Sequence, residues 1–376
     1  MKVNKPKLVL STIGTSLLTQ ASNFDERKHL NSISNKLENE LSPNDIELIS
    51  KTKATALASL EKGISFVRQA SAELNGIGGI YPDISPINDK DQHILIATDT
   101  YIGMETANIV YRYLTERRFN VNSVPIPNLS TRSKSGFSDG IKFLLKFCDE
   151  TLPGYHEVGY EIIFNLTGGF KSLQGVLNTV GMFYADKIMY IFETANELLE
   201  IPRLPVQIDQ EVFKNNAKYF LLLSEGYKIE HHIIADIPET LIDSVDDIVM
   251  LSVWGELLWN NVKKDILSSK LIELPYIKFE ESFKRDFNSH QVDTDKVKLM
   301  ETLAKIANLL KNDNGNIRGL KADGGILYED MKNNRVDGNP IGHFRITQSI
   351  RASCMSENGF LKLRHFGNHD YVNNNP

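Results

Sequence analysis

Asn165-Leu166-Thr167-Gly168-Gly169-Phe170-Lys171-Ser172, entered through the apolar run Tyr160-Glu161-Ile162-Ile163-Phe164, decides how the chain is read. The apolar run predicts a buried strand, the glycines a turn, and the residues from Lys171 onward a helix. Such a junction aims open backbone N–H groups and a helix N-terminus at one point, here beside a lysine, which suits a phosphate. It is not a P-loop, because G-x-x-x-x-G-K-[ST] lacks its first glycine.

Outward from this stretch the pattern recurs. Lys7-Leu8-Val9-Leu10-Ser11-Thr12 predicts a strand followed by Gly14-Thr15-Ser16. His93-Ile94-Leu95-Ile96-Ala97-Thr98 predicts a second, ending in Thr98-Asp99-Thr100 ahead of a helix from Gly103 to Tyr113. Val121 to Ile126 and Lys187-Ile188-Met189-Tyr190-Ile191-Phe192 read as further strands, and Ser138 to Cys148 as an amphipathic helix. Leu30 to Leu74 reads as two or three helices within an insertion over residues 20–90. Strands alternating with helices imply an α/β fold with a parallel, Rossmann-like sheet, whose ligands gather at the carboxyl ends of the strands. The candidate ligand residues are therefore Ser11, Thr12, Gly14, Thr15 and Ser16; Thr98, Asp99 and Thr100; and Thr167, Gly168, Gly169, Lys171 and Ser172. Hydroxyls, N–H groups and one lysine suit a phosphodiester or ribose better than a hydride-transfer cofactor. Any one glycine loop is explained by packing of helix on strand; three on one rim favour a ligand.

The chain has 376 residues, enough for two or three domains. A net charge of −6 argues against a surface coated in nucleic-acid affinity and leaves room for a local basic site. From Tyr276 onward there are 15 basic and 13 acidic residues, against 27 and 35 before it, so an anionic polymer is expected at the C-terminal end. Cys148 and Cys354 form neither a disulfide framework nor a zinc spacing. No apolar run reaches the ~18 residues of a membrane span. The expectation is a soluble, cytoplasmic protein with no metal, no cofactor and no membrane partner.

Ile201-Pro202-Arg203-Leu204-Pro205 closes the first domain, residues 1–206. Residues 207–275 read as a helical linker domain, with Trp254 and Trp259 as core or interface anchors and His231-His232 as surface residues. A non-catalytic, ligand-responsive regulator binding DNA through this segment is the alternative from another class. Glu239, Asp243, Asp246 and Asp247 argue against contact with a DNA backbone.

Residues 276–376 read as a small α+β domain with helices Phe279–Phe287 and Thr294–Lys311. A long glycine-rich loop over 322–342 follows, then period-two segments Phe344–Arg351 and Phe360–Arg364, an antiparallel hairpin turned at Glu357-Asn358-Gly359. Arg345 and Arg351 fall at even spacing on one strand face. With Arg364, His365, His369, Tyr371 and Lys321 they form a cationic inventory suited to metal-independent RNA cleavage. There the ribose 2′-OH attacks, cations stabilise the phosphorane and His or Tyr moves protons. A merely solvated strand face is the competing explanation.

Ser11 to Leu18, Ala97 to Thr100, Phe164 to Ser172, Gly181 to Asp186 and Ile201 to Pro205, in this order, resemble the CRISPR-associated Rossmann-fold (CARF) proteins. With Trp254 to Trp259 the resemblance extends to about residue 275. It implies a homodimer that binds cyclic oligoadenylate, with cyclic tetra-adenylate the commoner messenger, on its two-fold axis. It further implies slow cleavage of that ring, with Ser11 and Lys171 where the role falls. Phe279 to Phe287, Gly319 to Lys321, Phe344 to Arg351 and Leu363 to Tyr371 resemble the RelE toxin ribonucleases, which implies cutting of mRNA on the ribosome. A ribosomal protein is then a docking partner for the helical insertion. Arg364 to His369 also fits the R-x-x-x-x-H signature of HEPN ribonucleases, which are all-helical and ribosome-independent.

Overall fold

The computed structural model describes residues 5–191, 197–205, 207–234, 236–336 and 338–375. The chain divides into two compact units, Met1–Val206 and Gln207–Pro376. The last residue of the strand expected over 187–192, Phe192, lies outside the described residues.

The first unit is built on six strands: β1 Lys7–Thr12, β2 Gln92–Thr98, β3 Asn120–Ile126, β4 Glu161–Asn165, β5 Lys187–Ile191 and β6 Leu198–Pro202. Their order is β3-β2-β1-β4-β5-β6, parallel except for the last pair. Val9, Leu10, Ile163 and Phe164 are fully buried, as the unbroken apolar runs of a sheet covered on both faces require. The order reverses between β1 and β4, so the crevice beyond their carboxyl ends is where such a sheet holds a ligand.

The segment between β1 and β2 is more helical than the reading of Leu30 to Leu74 allowed. Helices run over Ser16–Gln20, Phe24–Ile33, Pro43–Leu60, Ile64–Ala70 and Ala72–Ile80. Asn23 and Ser42 each close a capping box, and Ser71 caps the last helix through its side chain. Ala72–Ile80 holds three glycines, which argue against a helix by propensity. Packing overrides that preference at Gly76, where a Cβ would collide with Asn165 Oδ1 and Thr167 Oγ1. The helix expected over Ser138 to Cys148 extends across Lys134–Glu157.

In the second unit, the stretch read as helical holds Glu211–Asn215, Ala217–Ser224 and Val253–Ser269. It also holds a three-stranded sheet of β7 Ile229–Glu230, β8 Ile242–Val245 and β9 Ile248–Leu251, in the order β7-β9-β8. Asp246 and Asp247, both at positive φ, make the two-residue turn of the β8–β9 hairpin, so these acids serve a turn. A second sheet has the order β10-β14-β13-β12-β11, from β10 Ile277–Phe279, β11 Glu329–Val336, β12 Asn339–Arg345, β13 Ile350–Glu357 and β14 Phe360–Asn368. β10 runs parallel to β14 and the other pairs are antiparallel. Helices Glu281–Ser289, Asp293–Asn312 and Arg318–Ala322 lie between β10 and β11 in sequence. One hydrophobic core takes in Phe220, Trp259, Leu303, Phe344 and Phe366, so residues on both sides of Tyr276 share it.

Two expectations for this sheet change. Phe344 to Arg351 is not one strand: β12 ends at Arg345, the chain turns, and β13 begins at Ile350. The glycine-rich loop over 322–342 contains β11, whose polar sequence hides its role as an edge strand. The turn at Asn358-Gly359 forms as read, with both residues at positive φ. Among the described residues no helix is long and apolar enough to cross a membrane.

Candidate functional site

A cavity of about 460 Å³ opens at the crevice of the first sheet. It is lined by Gly14, Thr15 and Ser16 after β1, Thr98 and Thr100 at the end of β2, and Thr167, Gly168, Gly169 and Lys171 after β4. Nine of the thirteen candidate ligand residues thus meet around one space. Among the described residues, Phe170 at the N-cap offers no side-chain cap to the helix Lys171–Tyr184, so its first N–H groups are left for another acceptor. Lys171 is exposed, and Thr167 Oγ1 is buried without a partner among the described residues.

The other four lie off the cavity lining. Ser11 is fully buried, its Oγ accepting from Asn165 Nδ2 at 3.1 Å. Thr12 Oγ1 donates to the Gly168 carbonyl at 2.6 Å and so braces the glycine turn from beneath. Asp99 accepts from the Asn128 N–H at 2.9 Å, and Ser172 is exposed in the first helical turn.

The residue that ties the rim together, Glu73, was not read from the sequence. Its carboxylate is fully buried and accepts from Gly14 N–H at 2.7 Å, Ser16 Oγ at 3.0 Å and Ser71 Oγ at 2.7 Å. A Cβ on Gly168 would strike the same carboxylate, so the first glycine of the pair is there for clearance. Local sequence shows only an acidic residue in the first turn of a capped helix. Gln174, whose amide donates to the Gly168 carbonyl at 3.0 Å, and Asn35 and Thr131 also join the lining.

In the second unit a carboxylate again gathers distant residues. Asp286, on the helix Glu281–Ser289, has Oδ2 3.0 Å from His365 Nδ1 and Oδ1 accepting from the Tyr371 hydroxyl at 2.9 Å. Asp286 Oδ2 also accepts from the Phe366 N–H at 3.1 Å, which fixes the helix to β14. The Tyr371 hydroxyl also lies 3.3 Å from His365 Nδ1, so Asp286 and Tyr371 meet the ring at the same nitrogen. Burial, then the bond to Asp286, raises the Tyr371 phenol above its ordinary range and keeps it protonated.

Register defines what accompanies this cluster. Arg345 pairs with Arg351, and Ser353 with both His343 and His365, so all five share one sheet face. Arg345 and Arg351 therefore do face the same side, as cross-strand partners rather than along one strand. A bulge at Arg364 lets both Arg364 and His365 avoid the core between buried Leu363 and Phe366. Arg364 Nη1 lies 3.8 Å from Glu280 Oε1. Partial burial and the facing Arg345 lower the Arg351 pKa, the mark of two cations held together. His343 also went unread; its Nδ1 is buried without a partner among the described residues.

Lys321 and His369 stand apart from Asp286. Lys321 Nζ binds Asp330 Oδ2 at 2.5 Å on β11, across the sheet from β14. His369, at the start of the helix His369–Asn374, is exposed with Nδ1 3.2 Å from Asp370 Oδ1.

Among known proteins, residues 68–204 match a family described as "CRISPR-associated protein (Cas_APE2256)". None of the curated proteins compared matches the chain. The matched stretch contains Glu73, the Thr98–Thr100 rim and the Thr167–Ser172 turn, and leaves β1 and the second unit outside it. Over these residues the chain is similar to a CRISPR-associated family, which supports a CRISPR-associated protein.

Proposed function

We propose that this protein is a ribonuclease of type III CRISPR defence, switched on by cyclic oligoadenylate and cutting mRNA on the ribosome. The observation that carries the reading is the Asp286 hub, which joins His365 to Tyr371 on a helix–strand junction beside the face holding Arg345 and Arg351. His365 Nε2 takes the proton of a ribose 2′-OH as that oxygen attacks the adjacent phosphorus. Arg345 and Arg351 stabilise the phosphorane charge, and the protonated Tyr371 phenol supplies a proton to the departing 5′-oxygen. The products are a 2′,3′-cyclic phosphate and a 5′-hydroxyl, and no metal is required by this scheme. The ribosome supplies the substrate alignment for this acid–base pair.

The order of elements from Ile277, one strand, helices, then an antiparallel sheet whose last strand lies beside the first, supports a RelE-like domain over an all-helical HEPN domain. The rim with open helix N–H groups and Lys171 supports a CARF domain taking a cyclic tetra-adenylate phosphate. Two copies on a two-fold axis would present the rim twice to a symmetric ring. For gating, the ring must bind the cutting-competent arrangement more tightly than the resting one. Within this reading, the self-limiting ring cleavage expected of Ser11 and Lys171 is left to Lys171 and the rim hydroxyls, because Ser11 is fully buried and bonded to Asn165, and the helical segment between β1 and β2 is the docking surface for a ribosomal protein. The test is a translating system with mapped mRNA ends, with and without cyclic tetra-adenylate. Messenger-dependent cuts on ribosomes, absent from naked RNA, are expected; cuts on naked RNA alone would favour the ribosome-independent reading, and none in either would overturn the activity.

A further inference from the structure

The sheet face that carries His365 continues past it along β14. Lys362 pairs with Met355 and His365 with Ser353, residues two apart on β13, so Lys362 and His365 share a face. Lys278 on β10 is the parallel partner of Lys362, and its Nζ lies over the Phe360 ring, 4.1 Å from the centroid. Lys278, Phe360 and His365 thus lie along one face, with about 15 Å of strand between Phe360 and His365. Phe360 opens β14 beside the edge strand β10 and is 37% exposed.

Two cavities adjoin this edge, of about 490 and 440 Å³, and Lys218 and Pro275 line both. The first also takes in Lys278 and Phe360; the second holds Lys311, whose Nζ lies 4.3 Å from the Tyr227 ring centroid. Lys228 and Lys284 add to the lysines, Lys284 already being paired with Glu281, while Glu230 and Glu273 are the acids on these walls. A lysine over an aromatic ring therefore occurs three times, the third being Lys218, whose Nζ lies 6.0 Å from the Tyr219 ring centroid. That combination suits single-stranded nucleic acid, in which phosphates alternate with stackable bases.

We propose that the Lys278–Phe360 and Lys311–Tyr227 pairs, joined by Lys218, form a track for single-stranded RNA that feeds the face carrying His365. The proposal rests on the reading of this unit as a ribonuclease and adds a substrate-holding surface remote from the reacting atoms. A base stacks on Phe360 while the lysines take the flanking phosphates. The edge position of β10 lets a strand reach these residues without displacing a neighbour in the sheet.

The test is fluorescence anisotropy of the full-length protein with a 2′-O-methyl single-stranded oligoribonucleotide, which cannot be cut, across a salt series. Phe360→Ala is expected to weaken binding by about fivefold to a hundredfold. Lys278→Gln and Lys311→Gln should each lower the slope of log affinity against log salt by about 0.7. Phe360→Leu, which keeps an apolar side chain, should lose stacking affinity with an unchanged melting temperature, separating a lost contact from a lost fold. Variants that bind as the wild type does, or a wild type that binds duplex DNA or an acidic peptide equally well, overturn the track. His365→Ala should retain binding. A protein whose track variants lose RNA while the wild type cuts none would uphold the track and defeat the nuclease reading.

Discussion

Glu73 and Asp286 do the same thing in the two units, and their surroundings make them different devices. Each is a carboxylate that collects partners from segments far apart in sequence. Glu73 is wholly buried, and its partners are a backbone N–H and two hydroxyls, none of which titrates near neutrality. It is a clasp that holds the glycine rim in one shape. Asp286 is partly exposed and holds an imidazole and a phenol, the two groups assigned proton transfer in the proposed cleavage. Burial and partner type separate a carboxylate held by a backbone N–H and hydroxyls from one that orients an imidazole and a phenol.

The sharpest way to break this comparison is to remove the proton carriers. His365→Ala should reduce cleavage by about 10²–10⁴-fold while leaving messenger binding unchanged, read by mapped mRNA ends and by calorimetry with cyclic tetra-adenylate. Asp286→Asn should act in the same direction and shift the pH–rate profile. If it changed only the melting temperature, Asp286 would be a clasp like Glu73.

Glu73→Ala should produce the opposite signature. With three donors left unpaired inside the first unit, it should cost about 3 kcal/mol of stability in denaturant unfolding, and messenger affinity should fall with it. Full stability and affinity in that variant would remove Glu73 from the rim's support.

His93 supplies a contrast with His365, because it is buried with no hydrogen-bond partner for either ring nitrogen among the described residues. Burial holds its pKa down to about 3 from 6.5, so it stays neutral in the folded protein. The unfolded chain takes up a proton below about pH 6.5. The contribution of neutral His93 to stability is therefore complete above that pH and is lost progressively as pH falls toward 3, by about 2 kcal/mol between pH 7 and pH 5. His93→Phe, facing Tyr81 and Phe119, should remove most of that slope. Unfolding curves at the two pH values decide it.

Lys171→Gln is the mildest change. It should weaken the messenger by about tenfold, the loss of one charge-assisted phosphate contact, and leave stability unchanged because Lys171 is exposed. An unchanged affinity would put the phosphate elsewhere on the rim.

Much of the first unit was legible because parallel strands buried on both faces write themselves as apolar runs. The strand ends then fall beside Gly14, Thr98 and Thr167 without further argument. Gly168 was legible as a turn, and its clearance from Glu73 was not. The second unit was harder to read for a reason visible in β11 and β14. An edge strand of polar residues has no period to detect, and the bulge at Arg364 breaks the alternation beside His365. The β8–β9 hairpin was missed although Asp246-Asp247 between apolar residues is a turn signal; the helices on either side outweighed it.

What the amino-acid sequence determined by itself is local: the strand–turn–helix junction at Asn165 to Ser172, the caps, the turn at Asn358-Gly359, and the supply of basic residues after Tyr276. Those features depend on backbone preference and on the periodicity of a few neighbouring residues. Which carboxylate meets which partner was decided by tertiary structure alone. Gly14 and Glu73 are 59 residues apart, and Asp286 and His365 79 apart, so no local pattern links them. Their pairing follows from how helices settle on a twisted sheet, where a buried charge is tolerated only once its donors have come to it.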